Sequence, residues 1–146
     1  MQRREIFGAL SAVAMASLAA KSFAQTEPVH HHHGGPSKFA ALISAAGDCA
    51  AKGDACLAHC LVQLGTGDKS LADCATSVNS LIPLCGALQR LAAQGSPYVV
   101  AQAKVTLESC TECEKVCRKH AEHHAECKAC MEACTECIKQ CKAVIA

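Results

Sequence analysis

Thirteen cysteines are spread over a chain of 146 residues, and their spacing is helical. Cys127, Cys130, Cys134, Cys137 and Cys141 alternate intervals of three and four, the a/d seam of a heptad. Cys110, Cys113 and Cys117 repeat that interval. At about 100° per residue, Cys49, Cys56 and Cys60 fall within about 40° of one another, and Cys74 and Cys85 within about 20°. Leu71, Val78, Leu81 and Leu88 share the stripe of Cys74 and Cys85 and mark it as an inward face. All thirteen thiols are therefore expected to point into one core.

Three chemistries use such a stripe. Disulfides suit an oxidising compartment, but the count is odd, and cysteines three or four apart on one helix have poorly converging Cβ vectors. Zinc prefers separate four-ligand tetrahedra, usually built from knuckles and loops. Iron–sulfur runs need C-x2-C-x2-C-x3-C-P, which does not occur. Copper(I) is soft, prefers thiolate, and is satisfied by two or three sulfurs. Two cysteines on adjacent helical turns supply such a pair, and a sulfur that bridges two ions lets a continuous stripe hold a continuous file. Capacity is then roughly one Cu(I) per Cys. Each thiolate paired with a monovalent cation leaves the core neutral. Without metal, protonated thiols pack as small hydrophobes and the fold can stand empty. Copper(I) fits best.

The elements that must carry these residues are helices. The chain from 37 onward is Ala-rich and broken at few places, by Gly65-Thr66-Gly67-Asp68 and by Gly95-Ser96-Pro97. The pattern predicts helices over 37–64 and 69–94, and a third starting at 97 with Ser96 as N-cap. Pro83 is expected to kink the second helix, because it removes a backbone donor. No Gly or Pro follows Tyr98, yet the Cys register slips between Cys117 and Cys127. A turn near 120–125 absorbs the slip and folds a fourth helix back on the third. The expected fold is all-α, an antiparallel four-helix bundle with a Cys-lined core.

Residues 1–24 read as a signal peptide: Arg3-Arg4, a mostly apolar run from Ile6 to Ala20, and the small-residue exit Ser22-Phe23-Ala24. The paired arginines favour the twin-arginine route and a periplasmic destination. Residues 25–36 form a polar lead-in carrying His30–His33, a run able to capture metal from solution. No other segment is apolar enough to span a bilayer, so the chain is not expected to be an integral membrane protein. The formal net charge of +1 and 3% aromatic content give no field and no stacking platform for nucleic acid. No nucleophile–base pair, phosphate loop or paired carboxylates can be found, and an enzyme is not expected.

Cys56-Leu57-Ala58-His59-Cys60, with Cys127-Lys128-Ala129-Cys130-Met131-Glu132-Ala133-Cys134-Thr135-Glu136-Cys137, resembles the exported members of the bacterial copper storage protein family. The likeness runs from about Ser37 to the C-terminus. It implies a four-helix bundle assembling as a homotetramer, many Cu(I) ions on inward Cys side chains and a storage role; members in methane-oxidising bacteria supply a copper-dependent oxygenase, a client that does not itself follow from the likeness. One departure stands out. Family members have Met residues shortly after the C-x2-H-C segment, and Leu61–Gly67 contains none. Met131 lies off the Cys stripe and reads as a filler.

His59, His120, His123 and His124 are expected at one end of such a bundle. His59 and His120, one turn or less from Cys60 and Cys117, are the candidates for metal entry; His123 is off the stripe. Lys115, Arg118, Lys119, Glu112, Glu122, Glu132 and Lys139 read as a solvated face. The reading is a copper store. A structural protein stabilised by disulfides or zinc, and a transient copper chaperone, are the alternatives.

Overall fold

The computed structural model describes residues 37–146; the signal-type segment 1–24 and the histidine-bearing lead-in 25–36 lie outside the described residues. Four helices follow in order: α1 Ala40–Gly65, α2 Ala72–Ala93, α3 Val99–Arg118 and α4 Ala125–Ile145. Short links make neighbours antiparallel. Each helix packs against two others, α1 on α2 and α4, α3 on α2 and α4, which closes a square. The expected fold class is the one observed.

Three helices begin two or three residues later than their sequence patterns suggest, because side-chain turns compete with the first helical turn. Ser37 Oγ accepts from the Phe39 N–H at 3.2 Å. Asp68 Oδ1 accepts from the Ser70 N–H at 2.9 Å, and Ser96 Oγ from the Tyr98 N–H at 3.3 Å. Ser96 thus opens the third helix, but from a turn preceding it. The link between α3 and α4 covers 119–124, where the slip in Cys register required a turn. Gly67 and Gly95 carry the two links at φ +93° and +62°, a left-handed conformation that side chains resist.

α2 runs through Pro83 as one helix. The ring supplies no N–H to the Asn79 carbonyl four residues back. Immediately after Pro83, the Leu84 carbonyl accepts from Gln102 Nε2 at 3.2 Å and from Thr106 Oγ1 at 3.3 Å, tying α2 to α3. Thr106 is the one buried polar side chain among the described residues, and this contact satisfies it. On the other flank α1 approaches α2 through glycine. A Cβ on Gly53 would meet Ile82 Cγ1 at 3.0 Å, and one on Gly47 would strike the Gln89 amide.

The core has two chemically different parts. Toward the α2–α3 link it is apolar, with Leu42, Ala46, Leu88, Ala92, Val99 and Ala103 all buried. From there to the opposite end it is sulfur, broadened on α2 by Leu71, Val78 and Leu81. The solvent face bears the expected charges, with Lys115–Glu112, Arg118–Glu114 and Lys139–Glu136 pairs one turn apart. No described helix is long and apolar enough to cross a membrane.

Candidate metal centre

Every cysteine reaches the interior. Cys49, Cys56, Cys60, Cys74, Cys85, Cys110, Cys113, Cys117, Cys127, Cys130, Cys134, Cys137 and Cys141 all have 0% exposure. The helical periodicity does this directly: each stripe of intervals three and four is the face that its helix turns to the axis. All thirteen thiols are free.

The sulfurs form a file. At the end nearest the α1–α2 and α3–α4 links, Cys74 Sγ lies 3.4 Å from Cys117, 3.8 Å from Cys56 and 3.9 Å from Cys127. Cys113 continues it, 3.8 Å from both Cys117 and Cys130. Deeper in the bundle Cys49 meets Cys134 at 3.7 Å, and Cys85 meets Cys110 at 3.9 Å. Four sets bring their sulfurs within 4.8 Å of one another: Cys49–Cys85–Cys110–Cys137, Cys56–Cys60–Cys74–Cys127, Cys56–Cys117–Cys130 and Cys113–Cys130–Cys134. Cys56 and Cys130 each belong to two sets. The two foursomes share no residue, as isolated tetrahedra would require, but Cys56 joins one foursome to a threesome and Cys130 joins the two threesomes, as thiolates that bridge adjacent ions do. Cys141 lies outside these sets, beside Cys137 at the apolar end.

Ionisation is divided along this network. Burial holds the Cys60 thiol above the ordinary value, and Cys74 and Cys56 add to the shift. Cys85 is held up by hydrogen bonds with Cys110, Cys137 and Cys49. Cys110 is brought down to about 6, first by the hydrogen bond from Cys134. Cys113 is likewise lowered, by Cys117, Cys130 and Cys134. Thiols that receive several S–H bonds ionise first; their donors keep their protons, and each new charge makes the next harder to form. A monovalent cation entering the file replaces those protons.

At the mouth stand the histidines. His59 Nε2 and His124 Nδ1 are 2.8 Å apart, and the His120 ring meets that of His124 edge-on at 6.3 Å between centroids. Glu126 Oε2 approaches His59 Nδ1 at 3.5 Å. His59, His120 and His124 are half-buried, while His123 is exposed and lines an outer groove with Met131. The sequence gathers His59, His120, His123 and His124 at this end and makes His59 and His120 the candidates for metal entry, with no role for His124 or Glu126. The signal was available, because His124 lies on the stripe of Cys110–Cys117 and Glu126 immediately precedes Cys127.

A model of the copper storage protein family matches residues 36–146. This chain belongs to the copper storage protein family. Two solved members share its fold. A Cu(I)-bound copper storage protein, BsCsp3, superposes with a TM-score of 0.66 at 25% identity, covering 74% of this chain and 98% of that one. Apo copper storage protein 3 from Bacillus subtilis gives a TM-score of 0.65 at 26% identity, covering 74% and 99%. No curated protein sequence matches the chain. Membership places this chain in a family whose named role is copper storage.

Proposed function

We propose that this protein stores Cu(I) as one continuous thiolate-bound file, roughly one ion per Cys, entering and leaving past His59 and His120. The observation that carries this reading is the burial of all thirteen thiols, with three of the four close sets overlapping through Cys56 and Cys130 and the fourth joined to them by Cys49 and Cys134 at 3.7 Å. A chaperone needs one accessible pair of thiols, and none here is accessible. The opposite end is stopped by Leu42, Leu88, Ala92 and Val99, so the file has a single mouth. Family resemblance adds a homotetramer; a copper-dependent oxygenase, the client of members in methane-oxidising bacteria, is the proposed recipient. Arg3-Arg4 and the apolar run after them support export to the periplasm by the twin-arginine route, which carries folded cargo and so keeps the thiols enclosed.

The test is an anaerobic Cu(I) titration of the reduced protein against a competing chelator, with free thiols counted on the same sample. Uptake of about thirteen Cu(I) with loss of all thiol reactivity is expected. Saturation at one or two ions would indicate a chaperone. Saturation at three or four ions with tetrahedral character would indicate zinc-type sites.

A further inference from the structure

The mouth histidines have donors of a different class from the thiols beneath them, and their geometry is unlike that of a simple solvent-facing cluster. His59 meets a partner at each ring nitrogen: Glu126 Oε2 approaches Nδ1 at 3.5 Å as an ion-pair partner, and His124 Nδ1 lies 2.8 Å from Nε2 in hydrogen-bond contact. A carboxylate on one imidazole nitrogen fixes the tautomer and turns the other nitrogen's lone pair outward, the arrangement that orients histidine ligands toward metal ions. With the proton on Nδ1, toward Glu126, His59 Nε2 has a lone pair directed at His124 Nδ1. Two nitrogens on one tetrahedral ion, each at ~2.0–2.1 Å, stand ~3.3–3.4 Å apart. Opening the observed 2.8 Å by about half an ångström therefore admits an ion where a hydrogen bond now lies. His120 stands next to His124, and Asp68 on the α1–α2 link is near enough that both histidines help to hold its carboxyl below the usual range, after the Ser70 backbone N–H.

We infer that His59 Nε2 and His124 Nδ1, with His120 beside them and Glu126 behind His59, form a separate site for one borderline divalent cation such as Zn(II). Imidazole and carboxylate donors suit that class, while the all-sulfur interior suits Cu(I). The ion would tie α1 to the α3–α4 link directly above Cys60, Cys74 and Cys127, the outermost sulfurs of the file. Occupied, it closes the mouth and slows Cu(I) exchange. That consequence rests on the storage reading; the ion site does not.

The experiment uses the full chain. Its Cu(I) load is counted first, so a chain that takes up no copper overturns the storage reading on its own. Co(II) is then titrated anaerobically and displaced with Zn(II). Co(II) reports in either case, because thiolate-bound Co(II) has intense charge-transfer absorption that a nitrogen–oxygen site lacks. The expected result is about one Co(II) per chain with tetrahedral d–d bands and no sulfur charge transfer, displaced by Zn(II). Glu126→Gln should weaken it about 10–100-fold, as loss of an orienting carboxylate does, with the helical content unchanged. His59→Ala with His124→Ala should abolish it, and Zn(II) should slow transfer of stored Cu(I) to a chelator in wild type only. Equal binding by the double variant, which keeps His30–His33, would overturn the site. So would a spectrum of sulfur charge transfer alone. Copper transfer indifferent to Zn(II) would overturn the gate.

Discussion

Raising the pH should unfold the empty bundle while leaving the copper-loaded one intact. Cys60 shows why. Its thiol is fully buried, and burial leads the causes that raise its pKa above the ordinary 9.0. Between pH 8 and pH 10 the unfolded chain gives up this proton and the folded chain keeps it. The native state then binds more protons than the unfolded one, so stability falls as pH rises. One such thiol contributes a loss of about 1.4 kcal/mol over that interval. Cys49, Cys56, Cys85, Cys117, Cys127, Cys134 and Cys141 are raised as well, whereas Cys74, Cys110, Cys113, Cys130 and Cys137 are lowered and act in the opposite sense. Eight raised thiols against five lowered leave a net loss of about 4 kcal/mol. That approaches the whole stability of many domains. The assay is urea unfolding of the reduced apo-protein at a series of pH values with circular dichroism as readout. The apo midpoint should drop steeply above about pH 9, with Cys60→Ala losing about 1.4 kcal/mol less than wild type. The Cu(I)-loaded protein has already exchanged its thiol protons for metal and should show no comparable drop. An apo midpoint that is flat or rising from pH 8 to pH 10 would refute the reasoning.

Other outcomes follow from the packing and from the N-terminal segment. Leu81→Ala, at a side chain with 0% exposure, should cost the apo-protein about 2–5 kcal/mol in urea unfolding with an unchanged m-value. The reduced, metal-free protein should be helical by circular dichroism and gain thermal stability as Cu(I) is added; an unfolded apo chain would mean that metal makes the fold. Arg3→Lys with Arg4→Lys should abolish export, and undiminished periplasmic protein in the double variant would exclude the twin-arginine route.

Periodic features were the legible ones. Thirteen cysteines at intervals of three and four specify both helix and inward face, since sequence separation alone determines where each falls around its own helix. The turn after Arg118 was visible for the same reason, as a break in register. Helix starts were less visible because Ser96 looks like a cap yet, as Asp68 does in the preceding link, acts from a turn outside the helix. Pairings between distant helices were the hardest. His59 and His124 are 65 residues apart, and only the closed square of α1 against α4 brings their nitrogens to 2.8 Å. The tie from Thr106 and Gln102 to the Leu84 carbonyl was equally hidden, because neither residue announces a backbone partner on another helix.

The central claim is a continuous file of Cu(I) on shared thiolates, and anomalous scattering at the copper edge from crystals of the loaded protein tests it most directly. About thirteen peaks should lie along the bundle axis, from the sulfurs of Cys60 and Cys127 at the mouth to Cys141 near the apolar stop, with Cys56 and Cys130 each touching more than one ion. Three or four isolated peaks in separate four-sulfur cages, or copper confined to the surface histidines, would contradict it.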